Sequence, residues 1–282
     1  MDPEEIEPRL EQLYESAKSA SSEGLVEEAL KRCEEALLLL DSYGEDTERH
    51  SYSDFVMLVG DVHWGAGDYE QACQAYHKVV LNDPERIDAR IATGVALYHL
   101  CRFSAAQNML ELASIDEPED GEVWYYLGLL ALRQGKSSVA MRHFAEAHEL
   151  DEERFVLPVE TSDAQIAEIV EHLLDDIPEE LRAALHNVPI VLERHPDEEL
   201  LLESEPPMDP MVLGLFEGTP ITAAQSTDVP TSPTRIVLYA ENIWLLGADQ
   251  ETLEEELFIT LKHEIGHYFG LSEDDLTERG LD

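Results

Sequence analysis

Small residues recurring at an interval of 34 constrain the first half of this 282-residue chain more than any other feature. Gly60, Gly94 and Gly128 stand 34 apart, as do Ala72, Ala106 and Ala140, and Val79, Ala113 and Ala147. Larger residues keep the same step at Tyr76, Leu110 and Phe144, and Pro84 and Pro118 mark the ends of two units. A unit of this length holds two short antiparallel helices, and the small positions let them approach closely. One unit cannot bury its apolar face alone, so neighbours must stack into a continuous core. A more divergent unit precedes these, with Ala17, Gly24, Ala29, Cys33 and Ala36, and a longer connection from Gly44 to Ser53 separates it from the next.

This pattern resembles the tetratricopeptide repeat over residues 10–152, most fully in the last unit with Trp124, Leu127, Gly128, Gly135, Ala140, Phe144 and Ala147. The resemblance implies an all-α repeat solenoid of about four repeats, with a concave groove that takes a peptide or a protein partner. Every residue that carries the pattern serves packing, so none of them marks a ligand. An array that only stiffens or oligomerises the protein is the competing reading.

Composition narrows the partners. With 44% hydrophobic residues the chain can build well-formed cores, yet its net charge is -44. The excess is spread along the chain, with 34 acidic against 13 basic residues before Thr161 and 28 against 5 from there on. Such a field repels phosphate backbones and anionic lipid, which argues against nucleic acid and membrane partners. Basic peptides suit it, and solubility or tolerance of salt explains the acidity equally well. Met1 to Leu10 is acidic with two prolines, and no run of about 18 apolar residues occurs, so a soluble cytoplasmic protein is expected. Cys33, Cys73 and Cys101 lack metal spacing and an even count, and they read as small core residues at helix-packing positions.

After Leu157 and Pro158 the repeat ceases. Ser162 to Asp176 predicts a helix burying Ile166, Ala167, Ile169, Val170, Leu173 and Leu174, and Pro178 opens a shorter one to Leu185. Strands are expected at Val188 to Glu193, Met211 to Phe216 and Arg235 to Tyr239, with an acidic surface loop from Pro196 to Pro207. Gly218 to Pro233 reads as a loop bordering a cleft, and Asn242 to Leu246 as a short helical turn. The whole fits a small α+β domain over residues 161–282, so the fold class is multidomain: a helical solenoid followed by that domain.

The chemistry sits near the end, in His263-Glu264-Ile265-Gly266-His267-Tyr268-Phe269-Gly270-Leu271-Ser272-Glu273. At about 100° per helical residue, His263 and His267 lie about 40° apart on one face, within reach of one Zn²⁺. Glu264 is turned about 60° from His267, close enough to act as general base on a metal-activated water. Gly270 can end the helix and let the chain reverse, returning Glu273 or the adjacent Asp274 as a third ligand. Leu253, Leu257, Leu261, Ile265 and Phe269 form an apolar stripe on the opposite face, and Thr252 with Glu255 reads as a capping box that starts a helix of about 17 residues. Tyr268 and Tyr239 are candidate oxyanion donors, packing being the simpler role, and His172, His186 and His195 read as surface residues.

LGLFEGTP at Leu213 to Pro220, RIVLY at Arg235 to Tyr239 and HEIGHYFGLSEDDL at His263 to Leu276 resemble the minimal zincin-like metallopeptidases. That resemblance implies His263, His267 and the acidic residue at 273 as zinc ligands and Glu264 as catalytic base. Metzincins share the spacing but have His at the third position and a later methionine, and here no methionine follows Met211. Zincins commonly pair substrate with a sheet edge, for which Arg235 to Tyr239 is the candidate, an ordinary buried strand being the competing reading. The expected function is zinc-dependent hydrolysis of peptide bonds, with the repeats recruiting or regulating protein substrates. The alternative is a repeat-based binding scaffold whose zincin domain binds metal with little or no activity.

Overall fold

The computed structural model describes residues 3–43, 51–159, 161–222, 234–247 and 249–280. Two compact units emerge, Met1–Leu150 with Glu205–Pro207, and Asp151–Ser204 with Met208–Asp282. The first is all helical: α1 (Pro3–Ser22), α2 (Val26–Tyr43), α3 (Tyr52–Gly65), α4 (Tyr69–Asn82), α5 (Ile87–His99), α6 (Phe103–Asp116), α7 (Gly121–Arg133) and α8 (Ser137–Leu150). Successive helices pack in pairs, and each pair stacks on the next.

The periodic columns explain that packing. A Cβ on Gly60 would lie 2.3 Å from the Tyr76 ring, one on Gly94 2.7 Å from Leu110 Cγ, and one on Gly128 2.6 Å from the Phe144 ring. The bulky residue of the second helix thus fills the space that the glycine of the first leaves bare. Ala72, Ala106 and Ala140 are fully buried at the same crossings. In the divergent first pair, Ala17, Ala29, Cys33 and Ala36 are likewise inaccessible.

Turns repeat as well. Gly67, Cys101 and Gly135, also 34 apart, all have positive φ between paired helices. Cys101 is buried as expected, but it occupies this left-handed turn at φ 56° and not a helix-packing position. The Gly44 to Ser53 connection falls largely on residues 44–50, outside the described residues.

In the second unit come α9 (Asp163–Asp176), α10 (Glu179–Ala184), β1 (Ile190–Glu193), α11 (Glu198–Leu201), β2 (Gly214–Glu217), β3 (Arg235–Tyr239), α12 (Ala240–Trp244), α13 (Gln250–Tyr268) and α14 (Glu273–Glu278). The sheet order is β1-β3-β2, with β1 parallel and β2 antiparallel to β3. Ile236, Val237, Leu238 and Tyr239 are all fully buried, so both faces of β3 are covered. β3 is therefore the central strand and cannot be the pairing edge expected for Arg235 to Tyr239; a strand hydrogen-bonded on both sides has no free ladder to offer.

The α13 stripe of Leu253, Leu257, Leu261 and Ile265 packs with Ile166 and Val170 of α9 and Ile236 and Leu238 of β3 into one core. Each such side chain contributes roughly 1.5–3 kcal/mol when fully buried, so this stripe holds the helix in place.

Several local expectations shift. Ala167 is exposed, because Ile166 and Val170 already face the core. The acidic segment Pro196 to Pro207 contains α11, anchored by the fully buried Leu201. β2 begins at Gly214 and not at Met211, because 209–212 is a turn in which Asn242 Nδ2 donates to the carbonyls of Pro210 and Val212. Of the Gly218 to Pro233 loop, residues 223–233 lie outside the described residues; before them, the Ile221 N–H donates to the Tyr268 carbonyl at 2.8 Å. No helix among the described residues is long and apolar enough to cross a membrane.

Candidate metal centre

Helix α13 is capped by Asp249, whose carboxylate accepts the Thr252 N–H at 3.0 Å. Thr252 is thus the third helical residue and not the cap itself; an aspartate three positions ahead accepts a helix-start N–H and outcompetes a threonine already inside the first turn. At the other end Gly270, with φ 85°, donates to His267 O at 2.9 Å while Leu271 N donates to Gly266 O at 3.0 Å. This paired closure needs a left-handed residue, which glycine supplies without steric cost.

The reversed chain restarts at once. Ser272 caps α14 by accepting the Asp275 N–H at 3.3 Å, and Asp275 accepts the Ser272 N–H at 3.0 Å. The Ser272 hydroxyl and backbone hold the Asp275 carboxyl below the usual carboxylate range. Asp275 is consumed by the cap, and Glu273 becomes the first residue of the helix.

His263 Nε2 and His267 Nε2 lie 3.0 Å apart. Carboxylate oxygens of Glu273 stand 3.4 Å from the first and 3.2 Å from the second. These three residues form the group of potential donors among the described residues, their atoms lying within 4.8 Å of one another. Asp274 is exposed at the next helical position and is not part of it. The His267 Nδ1 lies 3.1 Å from the Leu271 carbonyl, an arrangement that puts the ring proton on Nδ1 and leaves Nε2 with a free lone pair.

Glu264 sits beside this group but faces the sheet. It is 5% exposed, and its Oε2 accepts the backbone N–H of Phe216 at 2.6 Å. Burial raises its carboxyl above the ordinary value, against the lowering effect of the Phe216 bond and the two histidines. Tyr239 N donates to Leu213 O, so the antiparallel alternation points the backbone groups of Gly214 and Phe216 away from β3, toward the α13 side of β2. Gly214 itself packs on α13, where a Cβ would meet the Thr260 methyl at 2.8 Å. Sequence reasoning missed this role of β2 because the pairing joins residues 48 positions apart.

Neither tyrosine serves the histidines. The Tyr268 hydroxyl donates to the Ala184 carbonyl at 3.1 Å, and Tyr239 is fully buried in the central strand. His172 and His186 are exposed, and His195 is half-buried with Nδ1 3.3 Å from the Pro196 carbonyl. A hollow of about 640 Å³, bounded by Val159, Gln165, His172, Gln250 and Leu253, contains none of the three donors. Convergent donor chemistry therefore marks the candidate site better than concavity does.

The family model described as zincin-like metallopeptidase matches residues 185–281, and that of the tetratricopeptide repeat matches residues 63–132. The chain thus joins tetratricopeptide repeats to a zincin-like metallopeptidase domain, a family that implies a bound metal. No curated protein matches the chain at a significant level. Among solved structures, it resembles MamA from Desulfovibrio magneticus RS-1 at 21% identity, covering 51% of this chain and 77% of that one, with a TM-score of 0.43. PilF from Pseudomonas aeruginosa matches at 21% identity over 52% and 63% of the two chains, TM-score 0.44. YrrB, described as a repeat protein with an unusual peptide-binding site, matches at 16% identity over 50% and 68%, TM-score 0.41.

Proposed function

We propose that the zincin-like domain of this chain is a zinc-dependent metallopeptidase, with His263, His267 and Glu273 holding the metal and Glu264 as general base. The convergence of two imidazole nitrogens and one carboxylate, at 3.0, 3.2 and 3.4 Å, carries this reading. Tetrahedral coordination with bonds of about 2.0–2.1 Å sets neighbouring donors about 3.3 Å apart, so the three fit the edges of one zinc polyhedron. Two neutral imidazoles and one carboxylate form a catalytic donor set that leaves a position open, whereas structural zinc takes four ligands and favours cysteine.

Zinc, when bound, supplies Lewis-acid polarisation of the scissile carbonyl and eases deprotonation of water. Glu264 does the proton work: its carboxylate accepts a proton from the attacking water and later delivers it to the leaving amine. The Phe216 N–H holds Oε2, which fixes the orientation of the group and leaves Oε1 for the water. β2, and not the buried β3, is the strand beside α13, and its outward Phe216 N–H is engaged by the proposed base. The repeat array recruits or regulates protein substrates through its groove, and the net charge of -44 favours basic segments.

Metal analysis and peptide-library cleavage test the reading together. About one zinc per chain, with cleavage abolished in Glu264→Gln while zinc is retained, is the expected result. The deep burial of Glu264 and its bond to the strand also suit a second reading, a binding scaffold whose zincin domain holds metal without hydrolysis. Zinc retained with no cleavage of any peptide would favour that scaffold, and absence of zinc would sink both.

A further inference from the structure

We infer that Gly266, between the two histidines, is a positioning residue whose missing side chain lets Leu276 dock against α13 and so carries Glu273 to the metal. This deepens the proposed zinc site and rests on it.

Gly266 lies inside α13, where glycine is a poorer helix former than alanine, so its presence calls for a packing reason. That reason is a close approach from α14. A Cβ built on Gly266 would stand 2.4 Å from Leu276 Cδ2 and 3.7 Å from Leu276 Cγ, with Leu271 Cδ1 at 3.5 Å. Leu276 is fully buried and is the one buried residue of α14. It therefore anchors that helix.

Glu273 stands three residues before Leu276 on the same short helix, so both project from neighbouring positions on one face. Its side chain is 74% exposed and meets the two imidazoles at 3.2 and 3.4 Å. An exposed carboxylate on a six-residue helix reaches those distances because the helix it begins is pinned at Leu276. A methyl group at residue 266 pushes Leu276 outward, and Glu273 moves with it.

Zinc affinity of the full-length protein, measured by competition with a chromophoric chelator, tests this without requiring activity. Gly266→Ala should weaken zinc about 10- to 100-fold, the range for residues that orient ligands, with helix content by circular dichroism unchanged. Leu276→Ala, which removes the anchor itself, should weaken zinc by a similar factor, and adding Gly266→Ala to it should cause little further loss because the overlapping atoms are gone. In a Glu273→Ala background, Gly266→Ala should cause no further loss. Wild-type affinity in Gly266→Ala or in Leu276→Ala, or an equal loss from Gly266→Ala without Glu273, would each overturn the inference while leaving the zinc site standing. A wild-type protein that takes up no zinc would overturn both.

Discussion

The backbone N–H of Phe216 on β2 donates to the Glu264 carboxylate on α13 across 2.6 Å, tying an edge strand of the sheet to the proposed base. Glutamine keeps a carbonyl oxygen for that bond but cannot take a proton. Glu264→Gln should therefore hold stability within about 1 kcal/mol and retain zinc, while hydrolysis falls by about 10²- to 10⁴-fold. Glu264→Ala removes the acceptor and should cost a further 1–3 kcal/mol, roughly, in urea denaturation.

The donor triangle predicts an order of metal affinities. His263→Ala and His267→Ala should abolish stoichiometric zinc in purified protein. Glu273→Ala should weaken binding at least about tenfold, whereas Asp274→Ala, which removes a carboxylate outside the triangle, should change it little. Mass-spectrometric metal content and chelator competition measure both, and an Asp274 effect larger than that of Glu273 would reassign the third ligand.

Two glycines of the repeats should respond to alanine for different reasons. At Gly128 the new methyl group would sit 2.6 Å from the Phe144 ring, an overpacking that costs about 1–3 kcal/mol. At Gly67 nothing lies within 4 Å, but φ is 76°, so only backbone strain of about 1–2 kcal/mol is expected. Trimming Phe144 to leucine should relieve the first loss, and no neighbouring substitution should relieve the second; thermal denaturation of single and double variants distinguishes them.

Arg86 joins Asp54 at 2.8 Å and Asp88 at 2.7 Å. Its hydrogen bond holds the Asp88 carboxyl below the usual range. Burial pushes Asp54 up, but hydrogen bonds from Ser51 and Arg86 outweigh it and leave that carboxyl low as well. Folded-state values below the unfolded ones mean that the unfolded chain binds more protons in acid. The stabilisation is present above about pH 4 and is lost as pH falls through the lower folded values. Arg86→Gln should cost roughly 0.5–1 kcal/mol at pH 7, an amount reduced by solvent screening of the half-exposed Asp88, and progressively less as pH falls through the lowered folded values of the two carboxyls. A penalty that stays constant with pH would refute the ion-pair account.

Much of the architecture was legible because it is encoded over short range. The pairing of Gly60 with Tyr76, Gly94 with Leu110 and Gly128 with Phe144 joins residues 16 apart, well within one repeat. The stripe from Leu253 to Ile265 and the stop at Gly270 likewise depend on one helix and its own end. The α13 cap is ambiguous in the sequence because Thr252 and Asp249 both satisfy a capping pattern, and only backbone geometry separates them. Arg235 to Tyr239 is legible as a strand, but its place in the sheet is not, since an apolar run looks the same at an edge as at the centre.

By itself the amino-acid sequence determined the helical repeats, the strand segments in outline and two histidines one turn apart, because helix periodicity and steric fit act between near neighbours. Tertiary structure alone decided that β2 is the edge beside Glu264, that Asp275 is spent on a cap while Glu273 meets the imidazoles, and that Gly266 makes room for Leu276. Those outcomes depend on how separate elements come to rest against one another, and no local propensity specifies the contact before the core has formed.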